Sequence, residues 1–325
     1  MALHLSRLPL SFLPSPSVSG FHLGPAYVHF YGLMYVIGIT LAIIITRRRV
    51  SAAGGDPALV ADMAVWAVPA GIIGARIYFD VTTPADIPHV WYGVFAIWTG
   101  GLGVWGGIAA GALAGAWRVR RHGGSVAMFM EAVAPGLLVA QAVGRLGNYF
   151  NQELFGKPSA LPWALEISPA HRPAGYLAFS TFQPTFLYEL IFDLALAAAL
   201  VWLGHHRSIR APGLFALYVA GYSAFRIFEE SLRVDSSEHF LGLRLNFFVA
   251  CVLTLTGLTW FVITQRRAPS PAPAGLAGAD SEAGGGNLGA DDEAGPDGAS
   301  ADLLPGRDSE AGEGSATVPS SATGQ

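Results

Sequence analysis

Residues 144–156 read GRLGNYFNQELFG and lie at the end of a long apolar segment. Within nine residues this stretch brings together Arg145, Asn148, Asn151 and Glu153, and its glycines let the backbone approach other groups closely. A charged side chain in or beside a membrane segment is costly, so it indicates a functional site by default. The structural alternative is that the arginine snorkels and the asparagines cap a helix end. Four polar groups in so short a stretch exceed what capping requires.

The composition around this stretch is that of a membrane protein, with 52% hydrophobic and 13% charged residues. Seven segments are apolar over roughly 18–25 residues, the length that a helix needs to cross a bilayer. They are Val28–Thr46, Ala58–Phe79, Gly93–Trp117, Val126–Gly147, Pro184–Leu203, Gly213–Ser231 and Phe247–Gln265. We therefore predict an all-α, polytopic membrane protein with seven transmembrane helices.

The distribution of basic residues between loops predicts the orientation. Clusters of arginine follow the first, third, fifth and seventh segments, whereas the alternate loops carry fewer basic residues. The clusters comprise Arg47, Arg48, Arg49, Arg118, Arg120, Arg121, Arg207, Arg210, Arg266 and Arg267. The arginine-rich side should be the cytoplasm, which puts the N-terminus outside and the C-terminus inside. Residues 1–26 then form a periplasmic or extracellular N-terminal arm, and residues 27–267 form the seven-helix membrane core.

The chain changes in character at Ala268. Residues 268–325 are rich in Ala, Gly, Ser, Pro, Asp and Glu and cannot bury enough apolar surface to fold, which predicts a disordered acidic cytoplasmic tail. This tail holds ten acidic residues and one arginine, so the rest of the chain has 18 basic and 13 acidic residues despite a formal net charge of −4. A basic membrane core suits anionic lipid. We expect membrane lipid, and no nucleic acid, among the partners.

Polar residues inside the predicted helices collect in the outward half of the membrane. Those of the sixth helix recur at i, i+4 spacing, which places them on one face. Independent structural ion pairs would scatter over both halves, yet these residues come from several helices and share one side. Glu131, near the inner end of the fourth helix, is the exception and is interpreted as structural. The outward set is Tyr31, Arg76, Arg145, Asn148, Glu189, Asp193, Tyr218, Tyr222, Arg226, Glu230 and Arg233.

The third segment has glycine at every fourth position, with Gly103, Gly107, Gly111 and Gly115. Spacing of this kind lets helices pack closely in lipid. We interpret these glycines as packing residues rather than as direct contacts to a substrate.

The residue types present restrict the chemistry. The sequence has no His-Glu-x-x-His pattern and no cluster of Cys or His, so we expect neither a metal nor another cofactor. His29 stands at the entry of the first predicted helix, and no histidine lies deeper within a predicted helix to activate a serine. Arginine, in contrast, is the residue best suited to bidentate contact with phosphate. If Arg145 and Arg226 face a lateral cavity in the outer leaflet, they predict binding of an anionic phospholipid headgroup.

Two classes of protein could bind such a headgroup: an enzyme and a multi-pass transporter or flippase. Transporters usually show internal repeats, substrate groups near the membrane midplane and discontinuous helices. The sequence shows no convincing repeat, and its charged residues cluster towards one side. The transporter is therefore kept as the alternative function.

The stretch 144–156 resembles the signature of the prolipoprotein diacylglyceryl transferase family, Gly-Arg-x-Gly-Asn-x-x-Asn-x-Glu-x-x-Gly. Further similar segments are HFYGLMY at 29–35, GARIY at 74–78, PTFLYE at 184–189 and GYSAFR at 221–226, the last followed by Glu230 and Arg233. The resemblance extends in order over residues 27 to about 265. The thirteen-residue signature is its specific part.

The resemblance implies a seven-helix enzyme of the bacterial cytoplasmic (inner) membrane. Such an enzyme moves the diacylglyceryl group of phosphatidylglycerol to the lipobox cysteine thiol of a preprolipoprotein and releases glycerol phosphate. The nucleophilic thiolate then comes from the substrate, and arginines would stabilise the charge on the leaving phosphate. Carried over by position, the expected catalytic residues are Arg145, Arg226 and Glu230. The expected substrate-binding residues are Tyr31, Arg76, Arg145, Asn148, Asn151, Glu153, Gly156 and Arg233.

One segment departs from the family pattern. Many members read Gly-Gly-x-x-x-His-Gly-Gly in the third helix, and that histidine is a proposed base. Here residues 100–107 read GGLGVWGG, with Trp105 at the histidine position. Indole is a hydrogen-bond donor only and cannot accept a proton at neutral pH. Either that histidine is not a universal base, or Tyr31, Glu230 or water takes the role here, and the base is left unassigned.

Overall fold

The computed structural model describes residues 12–235 and 239–266. Within these residues the chain is mostly helical and has seven α-helices. They are α1 (Phe30–Ala52), α2 (Ala58–Thr82), α3 (Val104–Arg121), α4 (Val126–Asn151), α5 (Thr185–His206), α6 (Gly213–Leu232) and α7 (Leu245–Arg266). The first part of the predicted N-terminal arm and the predicted disordered tail lie outside the described residues.

Among these helices five are long and apolar enough to cross a membrane: α1, α2, α4, α5 and α7. The prediction of a polytopic, mostly helical membrane protein is confirmed. α3 has only 18 residues, many of them glycine or alanine, and three arginines lie in its last turn. α6 carries Arg226, Glu229 and Glu230 near its end. The charged residues lower the mean hydropathy of α3 and α6, both of which the sequence predicts to cross the membrane.

The predicted start of the third helix at Gly93 is wrong, since α3 begins at Val104. Residues 93–103 instead form two short 3-10 turns and a loop. Gly100 and Gly101 have φ values of 90° and 77°, which a right-handed helix does not allow. The loop is as apolar as a membrane segment, so composition alone could not separate it from the helix that follows.

α2 and α3 form a hairpin in which backbone packs against backbone. A Cβ atom added at Gly74 would lie 2.6 Å from the carbonyl oxygen of Gly106, and one at Gly111 would lie 3.2 Å from that of Ala67. Only a residue without a Cβ permits so close an approach of two helices. The glycine repeat of α3 thus packs against α2, as its spacing predicts.

The other five helices pack together through small residues as well. A Cβ atom at Gly38 of α1 would lie 2.9 Å from the carbonyl oxygen of Ala140 of α4. One at Gly257 of α7 would lie 2.6 Å from the backbone nitrogen of Ala220 of α6. The core between α4, α5 and α6 is formed by Ala134, Leu138, Ala197, Leu200 and Leu214.

Polar contacts tie the helices together where α4 and α6 begin and α3 ends. Glu131 accepts a hydrogen bond of 2.8 Å from the backbone nitrogen of Leu214, and so caps the first turn of α6. Arg118 of α3 donates to both carboxylate oxygens of Asp62 of α2, at 2.5 and 3.0 Å. The contact of Glu131 agrees with its interpretation as a structural residue.

A small cap covers the opposite end of the bundle, where α4 ends and α5 begins. In this cap β3 (Leu165–Glu166) pairs antiparallel with β4 (Thr181–Phe182), above a core of Phe155, Leu165, Ile167, Phe182 and Phe186. Two more hairpins precede α1 and α7: β1 (Gly20–Leu23) with β2 (Ala26–His29), and β5 (His239–Phe240) with β6 (Leu243–Arg244). The all-α prediction missed these sheets, because strands this short carry little periodic signal.

Candidate active site

Arg145 lies near the end of α4 and reaches towards α5. Its Nη2 donates to Glu189 Oε1 at 2.5 Å, and its Nη1 donates to Asn148 Oδ1 at 3.2 Å. Asn148 follows Arg145 by three residues, so helical spacing places both side chains on one face of α4. The Arg145 side chain is 17% exposed. The protein therefore holds the guanidinium by part of its edge and leaves some of its surface accessible.

Glu189 on α5 connects two arginines. It is fully buried, and its Oε2 lies 3.4 Å from Arg226 Nη1 while Oε1 binds Arg145. The hydroxyl of Tyr222 also donates to Oε1, at 2.9 Å. A buried carboxylate is tolerated only with such charged and hydrogen-bonding partners. One carboxylate thus holds arginines from α4 and α6 side by side.

Arg226 has two further acidic partners on its own helix. Its Nη1 pairs with Glu229, three residues on, and its Nη2 pairs with Glu230, four residues on. Both carboxylates are buried, whereas the Arg226 side chain is 16% exposed. The carboxylates of Glu229 and Glu230 hold the guanidinium of Arg226 in place. Part of its side chain stays accessible, as it does in Arg145.

The ion pairs that join Arg145 and Arg226 to their carboxylates form one network, and Glu230 extends this network beyond α6. Its Oε2 accepts from Arg244 Nε at 2.6 Å, and its Oε1 lies 3.6 Å from Arg233 Nη1. Both of these arginines also pair with Asp235, at 2.7 Å from Arg233 and 3.0 Å from Arg244. Burial alone would raise the pKa of the Asp235 carboxyl, but hydrogen bonds and charge from Arg233 and Arg244 hold that pKa below its ordinary value. The network therefore fastens the end of α6 to the segment before α7.

The remaining polar residues of the signature form a tight turn after α4. Asn148 Nδ2 donates to Glu153 Oε1 at 2.8 Å, and Asn151 Nδ2 lies 3.5 Å from the same oxygen. Gln152 and Leu154, on either side of Glu153, have φ values of 52° and 58°. Such left-handed conformations are uncommon for residues other than glycine. The turn therefore directs Glu153 back towards Asn148, which in turn holds Arg145.

Gly156 lies where this turn meets the ends of α5 and α6. A Cβ atom added there would lie 3.0 Å from Gln183, 3.1 Å from Thr185 and 3.2 Å from the carbonyl oxygen of Leu232. The Gly156 nitrogen donates to the Gln183 carbonyl at 2.9 Å, and Gly156 forms a β-bridge with Arg233. The absence of a side chain lets the signature turn dock against the helices that carry Glu189 and Arg226.

Tyr31 approaches the site from α1. Its ring packs so closely on Gly147 of α4 that a Cβ atom there would overlap it. Its hydroxyl lies 3.0 Å from that of Tyr35. The structure therefore places Tyr31 beside the turn of α4 that carries Arg145 and Asn148.

Arg76 lies apart from this network. Its guanidinium donates to five loop carbonyls at 2.6–3.3 Å and lies 3.0 Å from the Asp80 carboxylate. Those carbonyls belong to Gly93, Val94, Ala96, Gly100 and Gly101. Among the described residues, none of these partners belongs to the Arg145 and Arg226 network. A substrate contact by Arg76 stays a prediction that this arrangement does not support.

Some members of the network had no predicted site role. They are Glu189, Tyr222, Glu229, Asp235 and Arg244. Glu229 had a sequence signal, because it follows Arg226 by three residues and so shares its helix face. Asp235 and Arg244 had none, since they meet Glu230 through contacts that form only when the chain turns between α6 and α7.

The chemistry of the network follows from its charges and its exposed surface. Four arginines (Arg145, Arg226, Arg233 and Arg244) are matched by five carboxylates (Glu153, Glu189, Glu229, Glu230 and Asp235). An anion can therefore bind only where the acids leave guanidinium surface free, as at Arg145 and Arg226. Their planar forks suit a phosphate group and can stabilise negative charge that develops on it. In the part of the chain that the structure describes, no group of three or more His, Cys, Asp or Glu side chains could hold a metal ion.

The fold and the site together define a multi-pass membrane protein with a network of arginines and carboxylates at one end of its helix bundle. Comparison with known proteins gives the family. The family model described as "Prolipoprotein diacylglyceryl transferase" matches residues 19–263, which include the whole network. The chain belongs to this family and is a transferase.

Curated relatives cover most of the chain. A protein of Frankia alni named phosphatidylglycerol–prolipoprotein diacylglyceryl transferase is 48% identical over 78% of this chain and 68% of its own length. A protein of the same name from Cutibacterium acnes is 45% identical over 78% of this chain and 87% of its own. In Streptomyces coelicolor, a relative named phosphatidylglycerol–prolipoprotein diacylglyceryl transferase 2 is 43% identical, over 81% and 84%.

Proposed function

We propose that this protein transfers the diacylglyceryl group of phosphatidylglycerol to the cysteine thiol of a prolipoprotein lipobox, forming a thioether and releasing glycerol phosphate. This is the first step of bacterial lipoprotein maturation. The observation that carries the proposal is the pair formed by Arg145 of the signature and Arg226 of the similar segment 221–226, held side by side by Glu189. The names of the relatives supply the lipid and the protein substrate.

The reaction exchanges a carbon–oxygen bond for a carbon–sulfur bond. The substrate thiolate attacks the glyceryl carbon that bears the phosphate ester, and the phosphate leaves with the electron pair of the broken bond as a phosphomonoester. Negative charge grows on this phosphate as the bond breaks. Arg145 and Arg226 bind the phosphate through their accessible surfaces and stabilise that charge more strongly in the transition state than in the substrate.

Several other residues position the two arginines. Asn148 binds Arg145 and is itself held by Glu153. Glu230 pairs with Arg226. A guanidinium that is already oriented loses less rotamer freedom when it binds a ligand. These residues therefore support binding and catalysis through the arginines.

The thiol proton needs an acceptor. Trp105, the second residue of α3, is 43% exposed and cannot take a proton. Both oxygens of Glu230 are engaged by arginines, which fits an orienting role better than proton transfer. Among the described residues, the Tyr31 hydroxyl makes a hydrogen bond only with Tyr35, and it lies beside α4. A tyrosine hydroxyl keeps its own proton at neutral pH, so we favour a water molecule beside Tyr31, and not its phenol, as the proton acceptor.

The proposal includes seven transmembrane helices in the bacterial cytoplasmic (inner) membrane, with the N-terminus outside and the C-terminus in the cytoplasm. α3 packs along the apolar α2 through glycines, and α6 is polar where it builds the site. The arginine clusters at the C-terminal ends of α1, α3, α5 and α7 then face the cytoplasm, and the site faces outward. Labelling of cysteines introduced singly into the loops of a Cys251→Ser variant, in intact cells, tests this. Labelling of the loops after α1 and α3 from outside contradicts it.

The activity is tested with purified protein in vesicles that contain phosphatidylglycerol with a labelled diacylglyceryl group. A peptide with a lipobox cysteine is the acceptor, and the same peptide with serine is the control. We expect label on the cysteine peptide as a thioether, together with release of glycerol phosphate. Movement of labelled lipid between leaflets without any covalent product favours the transporter and contradicts the proposal.

A further inference from the structure

A cavity opens beside the signature turn, at the end of the bundle where the site lies. It has a volume of about 280 Å³, and its walls include Glu153, Leu154, Phe155, His171 and Asp235. We propose that this cavity binds the polypeptide acceptor. It holds one or two residues of the acceptor that are adjacent to the reacting cysteine. This inference rests on the proposed function and adds a second binding site to it.

The wall of the cavity is linked to the arginine site by hydrogen bonds through Glu153. The Glu153 carboxylate accepts from Asn148 at 2.8 Å, and Asn148 accepts from Arg145 at 3.2 Å. A ligand in the cavity therefore lies two side chains away from the guanidinium that binds the phosphate. A short separation of this kind is expected if Arg145 holds the lipid and the cavity holds the polypeptide. The thiol of the polypeptide must then lie next to the glyceryl carbon of the lipid.

The size and charge of the cavity disfavour the lipid as its occupant. Sites for small ligands have volumes of about 300–1,000 Å³, so this cavity holds a small fragment and not a diacyl lipid. Asp235 is neutralised by two arginines. Glu153 accepts only amide hydrogen bonds and makes no ion pair among the described residues. One uncompensated negative charge disfavours a phosphate and favours a neutral or cationic residue.

The backbone of the cavity wall suits a polypeptide. The N–H groups of Leu154 and Phe155 meet no hydrogen-bond acceptor within residues 12–235 and 239–266. Leu154 is held at a φ of 58°, and such strained residues cluster at ligand clamps. Free N–H donors on an irregular turn match the carbonyl acceptors of an extended peptide, which binds chiefly through its main chain. A simple cation would make no use of these donors.

His171 lines the cavity and can be substituted to test whether the cavity binds the peptide. It is an exposed residue of the cap, and its Nδ1 lies 2.7 Å from the Ser168 hydroxyl, which orients the ring. Ala170 is also exposed and does not line the cavity. His171→Trp should therefore fill the cavity without touching the arginines, and Ala170→Trp is the matched control for a large side chain on the same surface turn.

The experiment measures two quantities for each variant. The first is the KM for a cysteine peptide and, separately, for phosphatidylglycerol. The second is the binding of a fluorescent peptide with serine in place of cysteine, which needs no turnover. For His171→Trp we expect about a tenfold or greater rise in the peptide KM and a matching loss of binding, the effect of blocking a central contact. The KM for phosphatidylglycerol and kcat at saturating peptide should stay unchanged, and Ala170→Trp should behave as the wild type.

A peptide series provides an independent measurement should His171→Trp fail to fold. Lysine, glutamine or glutamate is placed next to the cysteine, and the peptides are compared on the wild-type protein. Because of Glu153, we expect the lysine peptide to bind best and the glutamate peptide worst. Equal binding of the three peptides overturns the assignment.

The remaining outcomes separate this inference from the proposed function. An unchanged peptide KM in folded His171→Trp overturns the cavity assignment and leaves the transferase intact. A rise in the KM for phosphatidylglycerol alone assigns the cavity to the lipid and also overturns it. Absence of thioether with the wild-type protein contradicts the proposed function, while the binding measurement still decides whether the cavity holds the peptide.

Discussion

The α2–α3 hairpin and the α4–α6 network each bury arginine at the same end of the bundle, but they satisfy it differently. In the hairpin, the Arg76 side chain is 5% exposed and donates mainly to neutral carbonyls of one loop. In the network, Arg145 and Arg226 are 17% and 16% exposed, and their partners are mainly carboxylates. The two cases therefore differ both in the partners of the arginine and in how much of its side chain stays exposed.

The difference indicates two tasks for the same side chain. A guanidinium surrounded by carbonyls orders the loop that supplies them, and all three of its nitrogens are engaged there. A guanidinium anchored by carboxylates at one edge keeps its orientation and still presents accessible surface. We therefore interpret Arg76 as a structural residue and the network arginines as ligand-binding residues.

The largest effect is expected at Arg145. Arg145→Ala should reduce turnover by roughly a hundredfold or more, since hydrogen bonds to charged groups contribute about 1.5–3 kcal/mol each. Arg145→Lys should lose less, because it keeps the charge but not the planar fork. Turnover of phosphatidylglycerol is measured at matched protein levels in membranes. Activity like that of the wild type in Arg145→Ala contradicts the role of this residue as phosphate ligand.

Arg226→Ala should have a comparable or somewhat smaller effect. If both arginines hold one phosphate, the double variant should lose less than the product of the two single losses, because contacting residues are not additive. Kinetics of the two single variants and the double variant measure this coupling. Fully multiplicative losses show that the arginines act separately, and the pairing through Glu189 then has no part in catalysis.

Arg76→Ala should act on the folded state instead. Unpaired buried carbonyls cost about 1–3 kcal/mol each, so we expect a lower midpoint of thermal unfolding and less protein in the membrane. Activity per folded molecule should fall by much less than in Arg145→Ala. A stable Arg76→Ala protein with a raised KM for phosphatidylglycerol shows instead that Arg76 contacts the lipid.

Asp235 gives a smaller effect that depends on pH. Its pKa is depressed in the folded protein, so its contribution to stability is present above its unfolded pKa, about 3.9. That contribution is lost as the pH falls through the lower folded value. Asp235→Asn should therefore have a lower unfolding midpoint than the wild type at pH 7, and the difference should shrink below about pH 4. A difference that stays constant down to acidic pH contradicts the ion pairs with Arg233 and Arg244.

The smallest effect is expected at Trp105 of the hairpin. Trp105→Phe keeps an aromatic ring at an exposed position and should leave turnover near normal, and Trp105→His should be tolerated better than Trp105→Asp, since a carboxylate opposes an anionic lipid. The three variants are compared at matched membrane levels. A loss of about a hundredfold in Trp105→Phe, the size of a general-base effect, reveals a chemical role for the indole.

The sequence predicts those features whose signal is local. Long apolar runs predict the helices, and i, i+3 or i, i+4 spacing places Arg145 beside Asn148 and Arg226 beside Glu230. The glycine repeat of α3 likewise predicts its packing on α2.

Tertiary contacts decide the remaining features. The loop before α3 is apolar, and it differs from a helix through the positive φ values of Gly100 and Gly101 and the carbonyl bonds to Arg76. Asp235 and Arg244 join the site because the chain turns back towards α6. No spacing rule in the sequence connects Glu189 to both Arg145 and Arg226, since the three residues belong to three different helices.

The carboxylate of Glu189 lies against the same two guanidiniums that hold the phosphate in the proposed reaction. The site therefore keeps a fixed negative charge beside any anionic ligand. This charge repels the phosphomonoester product more strongly than the lipid, because the monoester carries more negative charge than the diester. In the proposed reaction, Glu189 thus orients the arginines and also favours release of the product.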